Sequence, residues 1–158
     1  MNPALRVRRL RESDMDRILV IELDCFGKDA YDRNLFAEFL HKCGSLFLVA
    51  ESDGEIGGYA VACIRAAGKG AVRTAELISI AVDPRSRGRG VASLLLDSLL
   101  RRLRRRDVAR LNLMVRVTNE AGRALYEKYG FRRVRIARGY YEDGGDGLLL
   151  TLSLRPDC

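Results

Sequence analysis

Hydrophobic and polar residues follow two periodicities along the chain, and these predict its helices and strands. Apolar residues recur at every third or fourth position in four segments, as on one face of a helix. These predicted helices span residues 14–26, 33–43, 88–105 and 120–129. Shorter apolar or alternating runs predict seven strands, at residues 5–10, 45–52, 55–66, 75–82, 109–117, 131–141 and 147–154. The fold class is therefore mixed α/β, a mostly antiparallel sheet of about seven strands with about four helices.

The order of these elements predicts how neighbouring strands are connected. Asp53-Gly54 separates the second and third strands and favours a tight hairpin, and residues 67–74 make a second turn into the fourth strand. These three strands are expected to be antiparallel. The helix at 88–105 lies between the fourth and fifth strands, which makes that pair parallel. Because the chain has 158 residues and no repeat, residues 1–158 are expected to form one domain.

The cysteine content and the hydropathy of the chain favour a soluble, cytoplasmic protein. Its four cysteines, Cys25, Cys43, Cys63 and Cys158, show no paired spacing and no nearby histidine, so neither a zinc site nor a disulfide framework is expected. No apolar run approaches the roughly 18 residues that span a bilayer, and the first residues lack the apolar core of a signal peptide. Neither a membrane nor a metal ion is therefore an expected partner.

Basic residues outnumber acidic residues by 28 to 21, and arginine supplies 24 of the 28. The net charge of +7 favours anionic partners, such as nucleic acid, a phosphorylated cofactor or an acidic peptide. Five arginines lie at residues 101–106, at the end of the third predicted helix, where cations favour the helix dipole. This cluster is interpreted as a solvated face, with RNA or ribosome contact as the alternative.

A segment rich in glycine and arginine joins the fourth strand to the third helix. Gly88 and Gly90 permit close approach of the backbone to a ligand, and the N–H groups that open the helix favour an anion. Arg85, Arg87 and Arg89 add positive charge, so the segment is interpreted as a pyrophosphate cradle. It lacks the Gly-Lys-Ser/Thr of a P-loop and the third glycine of a dinucleotide fingerprint. A purely structural turn is the alternative.

Residues 85–90, Arg-Ser-Arg-Gly-Arg-Gly, resemble the Q/R-x-x-G-x-G/A motif of the GNAT superfamily of acyl-CoA-dependent N-acetyltransferases. Residues 79–84, SIAVDP, and residues 117–131, VTNEAGRALYEKYGF, are similar to the branch that contains the ribosomal-protein-alanine (RimI-like) N-acetyltransferases. The resemblance is dense over residues 76–141 and loose over the first 45. It implies a GNAT fold, in which two central parallel strands splay apart, and it implies acetyl-CoA as the cofactor.

The resemblance also implies which residues hold the cofactor. The backbone of Ile80, Ala81 and Val82 should hold the pantetheine arm and the acetyl group. The Val82 N–H should face the thioester oxygen. The residues that should hold the pyrophosphate are Arg87, Gly88, Arg89, Gly90, Val91 and Ala92.

The helix that begins after Asn119 carries two further implied roles. Asn119 should hydrogen-bond the cofactor, and Tyr126 should be the general acid. The two residues are seven positions apart, which places them on one stripe of a helix. Gly122 lies near that stripe, where a missing side chain permits close approach of a ligand. Core packing is the alternative for Tyr126.

The general base that amide formation requires is missing from its expected position. In the ribosomal-protein enzymes that this chain resembles, the position of Met114 holds a glutamate, and methionine cannot take a proton. Glu76 is the best replacement, because histone acetyltransferases of the superfamily carry a water-linked base at the equivalent place. Its position on the fourth strand is also on the same face as Val82. A simple ion pair with Arg73 or Arg116 is the alternative role of Glu76.

Residues in two loops are expected to border the acceptor. Tyr140, Tyr141 and Glu142 precede the last strand and should contact a peptide or attract its amine, with a solvated hairpin as the alternative. Tyr31 has the same expected role in the first loop, and Glu22 is a weaker candidate base. An α-amine has a reference pKa of about 7.7 to 8.0, whereas that of lysine is about 10.4. A weak or water-relayed base therefore suits N-terminal amines better.

The sequence thus predicts an acetyl-CoA-dependent N-acetyltransferase that acts on the N-terminus of a protein, such as a ribosomal protein. The expected reaction is direct attack in a ternary complex. A lysine or small-amine acetyltransferase is the alternative within this class. A non-catalytic module that binds acyl-CoA or nucleic acid is the alternative outside it. The expected partner is a peptide N-terminus, with ribosome association left open, and the protein is expected to be a monomer or a homodimer.

Overall fold

A computed structural model describes residues 4–65 and 72–155. These residues contain seven strands and four α-helices, in the order expected from the sequence. The strands are β1 (Arg6–Arg9), β2 (Phe47–Ser52), β3 (Glu55–Arg65), β4 (Thr74–Val82), β5 (Arg110–Arg116), β6 (Arg132–Ala137) and β7 (Gly147–Ser153). The helices are α1 (Met15–Phe26), α2 (Arg33–Cys43), α3 (Val91–Arg105) and α4 (Glu120–Lys128). Residues 66–71, which hold most of the second predicted turn, lie outside the described residues.

The strands form one sheet in the order β1-β2-β3-β4-β5-β7-β6. The pairs β1/β2, β2/β3, β5/β7 and β6/β7 are antiparallel, and β4/β5 is parallel. The predicted mixed α/β class and the parallel pair are therefore confirmed. The direction predicted for the pairing of β3 with β4 stays a prediction.

The parallel ladder between β4 and β5 is short. It runs from the Thr74–Arg110 pair to the Glu76–Asn112 pair. Both strands continue well beyond these residues, so the ladder ends while each strand is still extended. An early end to this pairing agrees with the splayed central strands that the GNAT resemblance implies.

The chain packs as two compact units. The first unit comprises Met1–Cys63 and Leu77–Arg102, and the second comprises Ile64–Glu76 and Leu103–Cys158. A single domain over residues 1–158 stays a prediction.

The core of the first unit is built where α1 and α2 cover β2 and β3. Ile18 and Ile21 of α1 and Phe36 of α2 are fully buried. The Phe36 ring lies 5.7 Å from Phe47 and 5.6 Å from Tyr59, both also fully buried. Aromatic contacts at these spacings add to the stabilisation that burial of the rings provides. Both helices bury an apolar face as the periodicity predicts, but the face predicted for α1 was wrong at Leu23, which is 62% exposed, and it missed Ile21, which is fully buried.

In the first unit, Cys43 and Cys63 form a disulfide bond, so the expectation of no disulfide was wrong. Cys43 ends α2 and Cys63 lies in β3, 20 positions later, with their Cα atoms 5.2 Å apart. Spacing along the chain could not show this pair, because the two sulfurs meet only when α2 packs on the sheet. Cys25 is a free cysteine, and Cys158 lies outside the described residues.

Within the ranges that the structure describes, no helix is both long enough and apolar enough to pass through a membrane. The same ranges contain no cluster of three or more His, Cys, Asp or Glu side chains that could hold a metal ion.

Candidate active site

The segment between β4 and α3 has the backbone conformation that the glycine pattern predicts. Gly88 and Gly90 have φ angles of +78° and +77°, a region that favours glycine. The first backbone hydrogen bond of α3 runs from Leu94 N–H to Gly90 C=O, at 3.0 Å. The N–H groups of the turn before Leu94 therefore have no acceptor within the helix, and such groups favour a bound anion. Arg87 and Arg89 are exposed beside them.

The carboxylate of Asp83 anchors this segment, although the side chain was not singled out from the sequence. Asp83 is 4% exposed and accepts hydrogen bonds from the backbone N–H of Arg85 (2.9 Å) and from the guanidinium groups of Arg85 (3.3 Å) and Arg17. Its own N–H donates to Gly57 C=O at 2.8 Å. Arg17 also donates to Ile56 C=O at 3.2 Å. Asp83 therefore ties α1 and β3 to the start of the loop.

These donors hold the pKa of the Asp83 carboxyl far below its usual range, chiefly through the bond from the Arg85 backbone N–H. Because the pKa is lower in the folded state than in the unfolded state, the bonds stabilise the fold at every pH above the ordinary carboxyl pKa. That stabilisation is lost only as the pH falls through the folded pKa. Asp83 is therefore charged across the physiological range.

Two glycines of β3 let the strand approach the loop and α3 closely. A Cβ atom on Gly57 would lie 2.8 Å from the Ser86 hydroxyl oxygen. A Cβ atom on Gly58 would lie 2.8 Å from the Ala81 carbonyl oxygen and 3.0 Å from a Val91 methyl carbon. A side chain at either position would displace the segment that the sequence assigns to the cofactor.

Cys25 contacts the strand and the loop that are expected to hold the cofactor. Its thiol donates to Val82 C=O at 3.3 Å, and the Arg87 guanidinium lies 3.6 Å from the sulfur. Burial raises the pKa of the Cys25 thiol, so it keeps the proton that it donates. The Val82 carbonyl thus accepts the Cys25 thiol. The role expected for Val82 uses its N–H instead, so the two do not compete.

Glu22 is enclosed in the first unit and is poorly placed to act as a base. It is 1% exposed, and its carboxylate accepts from the Tyr31 backbone N–H (2.9 Å), the Ser79 hydroxyl (3.3 Å) and the Tyr59 hydroxyl. Burial raises the pKa of the Glu22 carboxyl. Each donor comes from a different element or loop, so Glu22 acts as a buried connection between them.

Tyr31 lies where Glu22 holds the loop after α1. Its ring packs edge-on against Phe36 and Phe39, at 6.0 and 5.9 Å, and the residue is 37% exposed. The acceptor contact that the sequence predicts for Tyr31 would therefore use the exposed part of its ring.

Glu76 and Met114 line one cavity of about 220 Å³ in the second unit. The Glu76 carboxylate forms an ion pair with Arg65, which also lines this cavity. Arg73 and Arg116, the partners expected if Glu76 forms a simple ion pair, both contact other groups. Arg73 donates to the Arg106 carbonyl at 2.8 Å, and Arg116 pairs with Asp143 at 3.1 Å. The cavity is lined by Arg65, Ala75, Glu76, Asn112, Leu113, Met114, Tyr140 and Leu149.

Asn119 caps α4, which limits how it can contact a cofactor. Its side-chain oxygen accepts from the Gly122 N–H at 2.9 Å. Its side-chain nitrogen is therefore the group that remains for the expected hydrogen bond. A Cβ atom on Gly122 would lie 2.7 Å from that nitrogen. The space beside Gly122 is thus filled by the Asn119 cap, and close approach of a ligand at Gly122 stays a prediction.

Tyr126 is buried on α4. It is 7% exposed and packs edge-on against Phe131, with ring centroids 5.4 Å apart. Burial raises the pKa of the phenol, so the group is protonated at neutral pH. Tyr126 is not among the described residues that line the cavity of Glu76 and Met114.

The loop between β6 and β7 brings aromatic and charged groups together. The rings of Tyr140 and Tyr141 lie 5.0 Å apart, edge to face, and the Arg116 guanidinium lies 4.0 Å from the Tyr141 centroid. Tyr140 also lines the cavity, whereas Glu142 is exposed. Of the residues expected to border the acceptor, Tyr140 is therefore the one that shares a cavity with Glu76.

The model of the acetyltransferase (GNAT) family matches residues 10–131 of this chain. The chain belongs to the GNAT family. It is 30% identical over 150 residues to a putative ribosomal protein bS18-alanine N-acetyltransferase of Bacillus subtilis, covering 95% of each chain. It is 32% identical over 155 residues to an N-alpha-acetyltransferase of Saccharolobus solfataricus, covering 94% of this chain and 92% of the relative.

Solved structures of GNAT proteins share this fold. The ribosomal-protein-S18-alanine N-acetyltransferase of Escherichia coli superposes with a TM-score of 0.80 at 28% identity, covering 98% of this chain and 97% of that chain. The resemblance to the RimI-like branch is therefore confirmed. The chain is an N-acetyltransferase, and acetyl-CoA is its cofactor. The two glycines in the left-handed region and the exposed arginines of the loop suit its phosphates.

Replacing Asp83 with asparagine is expected to weaken CoA binding, although it removes a negative charge near the site of an anion. The loop loses its charged anchor, so the dissociation constant of CoA should rise about three- to tenfold, and the free energy of unfolding should fall by about 1.5 to 3 kcal/mol. Calorimetric titration with CoA and urea unfolding at neutral pH measure the two effects.

Asp24→Asn is the matched control, because exposed Asp24 carries the same charge near Arg85 without a hydrogen bond to the loop. It should leave both quantities nearly unchanged. Tighter CoA binding by Asp83→Asn would show that Asp83 acts through its charge alone.

Proposed function

We propose that this GNAT enzyme acetylates the N-terminal α-amine of a protein. The amine attacks directly in a ternary complex with acetyl-CoA, without a covalent enzyme intermediate. A ribosomal protein is the proposed acceptor, since relatives of this chain are named for that activity. A lysine or small-amine acceptor is the alternative.

The observation that carries this proposal is the cavity that Glu76 shares with Met114. Among the described residues that line this cavity, Glu76 is the only acidic one. An acceptor amine in the cavity would therefore meet a single carboxylate. A lysine amine has a reference pKa about 2.4 to 2.7 units above that of an α-amine, which corresponds to about 3.3 to 3.7 kcal/mol of extra cost for losing its proton. A site with one indirectly acting carboxylate therefore suits the α-amine.

Glu76 is the proposed general base. One carboxylate oxygen is held by Arg65, and the other forms no hydrogen bond with any residue that the structure describes. The side chain is 35% exposed, which gives water access to that second oxygen. A water molecule bound there can pass the amine proton to Glu76. Met114 provides an apolar wall beside this path.

Tyr126 is the proposed general acid. When acetyl-CoA supplies the acetyl group, a thiolate leaves and requires a proton. The phenol of Tyr126 is protonated at neutral pH because burial raises its pKa. The ring also packs edge-on against Phe131, with centroids 5.4 Å apart. These two properties support the assignment.

The remaining roles follow the family pattern residue by residue. The Val82 N–H is proposed to donate to the thioester oxygen, as an oxyanion-stabilising group. The Asn119 side-chain nitrogen is proposed to contact the cofactor. Tyr31, Tyr140, Tyr141 and Glu142 are proposed to border the acceptor peptide. The loop residues Arg87–Ala92 are proposed to hold the pyrophosphate.

A panel of amines tests the proposed function. Short peptides with a free N-terminus should be acetylated with a kcat/KM roughly 10- to 100-fold higher than peptides with a blocked N-terminus and one free lysine, since fewer lysine amines are neutral at pH 7.5. Release of CoA and the mass of the product measure the rate and the modified position. Preference for lysine would overturn the acceptor class, and no turnover on any amine would favour a non-catalytic module.

Replacing Glu76 with glutamine is expected to lower kcat/KM about a hundredfold at pH 7, because the amine loses its proton acceptor. The remaining activity should rise as the pH increases through the pKa of the amine, since the free amine then needs no base. Rates on one N-terminal peptide from pH 6 to 9 measure this shift.

Arg65→Met separates catalysis from packing, because it breaks the same ion pair and keeps the carboxylate. It should retain most of the activity and the pH profile. Full activity of Glu76→Gln across that pH range would remove Glu76 as the base.

Replacing Tyr126 with phenylalanine is expected to lower kcat about a hundredfold while the thermal midpoint stays nearly unchanged, because only the hydroxyl is removed and the ring still packs on Phe131. Steady-state kinetics with saturating acetyl-CoA measure kcat. Tyr129→Phe, at the end of the same helix, is the control and should retain kcat. An unchanged kcat for Tyr126→Phe would assign Tyr126 to the core alone.

A further inference from the structure

The three-stranded part of the sheet formed by β5, β7 and β6 has one buried face and one open face. Leu111 and Leu113 of β5 and Leu148 and Leu150 of β7 are at most 4% exposed and share the buried face. The residues between them point to the other side, since neighbouring residues of a strand alternate. This other side is called the open face here. It carries Arg110, Asn112, Met114, Arg116, Leu149, Thr151, Ser153, Arg132 and Arg135.

An irregularity in β6 places two arginines on the open face. Arg132 pairs with Thr151, and Arg135 pairs with Leu149, with a register shift between Arg133 and Arg135. Residues three positions apart in a regular strand would point to opposite faces. The extra residue, Val134, changes that relation, so Arg132 and Arg135 lie on the same side. Arg133 pairs with Leu150 and lies on the buried side.

Three of the four arginines of the open face are uncommitted, and the fourth, Arg116, pairs with Asp143 at 3.1 Å. Arg110, Arg132 and Arg135 are exposed, and none forms an ion pair or side-chain hydrogen bond with a residue in the described ranges. Glu76, the acidic residue of the adjoining cavity, is already paired with Arg65. Arg110, Arg132 and Arg135 therefore present positive charge on the open face without an ionic partner among the described residues.

The open face is continuous with the acceptor cavity. Asn112, Met114 and Leu149 belong to both. Leu149 pairs with Met114 on one side and with Arg135 on the other, so Arg135 is two strands from Met114. Two strand spacings are about 10 Å, which an extended peptide covers in about three residues. A peptide whose first residue enters the cavity can therefore reach these arginines with its next few residues.

We propose that the open face binds an acidic segment of the acceptor polypeptide, at about its fourth to sixth residues. The inference rests on the proposed function, because the cavity holds the first residue of the acceptor. Carboxylates of aspartate and glutamate match the planar guanidinium group of arginine and form paired hydrogen bonds with it. The open face thereby selects protein N-termini that are followed by acidic residues.

The test compares two short peptides with the same first three residues, one with Asp and Glu at positions four to six and one with Asn and Gln there. The acidic peptide should have a KM about three- to tenfold lower at equal kcat, as expected for exposed ion pairs. The difference should shrink at high ionic strength, since salt screens exposed charges. Equal KM values for the two peptides would overturn the proposal.

Variants of β6 locate the effect on the open face. Arg132→Ala/Arg135→Ala should remove the preference for the acidic peptide and leave the KM of the neutral peptide unchanged. Arg133→Ala is the matched control, because this exposed arginine is on the same strand and points to the other side. It should retain most of the preference. An equal loss in Arg133→Ala would assign the preference to overall charge and overturn the proposal.

Two further measurements separate this proposal from its rivals. If neither peptide is acetylated, the proposed function fails. The open face is then still tested by binding, measured as the fluorescence anisotropy of the labelled peptides with the CoA-bound protein. Loss of acidic-peptide binding in Arg132→Ala/Arg135→Ala would then support it. Binding of a short single-stranded RNA that needs Arg132 and Arg135, together with no preference for the acidic peptide, would assign the face to RNA and overturn the proposal.

Discussion

The buried carboxylate of Asp83 is the interaction on which the cofactor loop depends. The loop contains Gly88 and Gly90 in the left-handed region, and glycine loses more conformational freedom on folding than any other residue. A segment of this kind needs fixed points at its ends to stay in one conformation. The first turn of α3 fixes one end, and Asp83 fixes the other through Arg17, Arg85 and the Gly57 carbonyl. The loop is therefore ordered before an anion arrives, so less binding energy is needed to order it.

The proposed acceptor side contains a second charged pair, between Glu76 and Arg65. Because Met114 cannot exchange a proton, the base that we propose is on another strand. Glu76 is on β4, within the short ladder that joins β4 to β5, so its backbone is fixed by the pairing with Asn112. Arg65 then fixes the carboxylate itself. As the proposed base, Glu76 is therefore rigid but indirect, which is compatible with an acceptor amine of low pKa and less so with lysine.

The parts that sequence analysis predicted correctly depend on local patterns. Periodicity located the strands and helices, and the crossover through α3 gave the parallel pair. Asn119 was placed at the start of its helix by residue type alone. The parts that it missed are contacts between residues far apart in the sequence. Arg17 meets Asp83 across 66 positions, and Cys43 meets Cys63 across 20, so neither spacing carries a local signal. The partner of Glu76 was missed for the same reason.

The arginines show why a net charge cannot be translated directly into a binding partner. Arg17 and Arg85 are held by Asp83, and Arg65 is held by Glu76, so these charges organise the protein itself. The bulge at Val134 decides which arginines of β6 share a face with the acceptor cavity, and no alternation rule applied to the sequence would have paired Arg132 with Arg135. A positive charge next to the proposed acceptor cavity biases what enters it, whereas the arginines at the end of α3 are not among the described residues that line that cavity. The excess of arginine is therefore better interpreted position by position, through its partners and its face, than as a general affinity for nucleic acid.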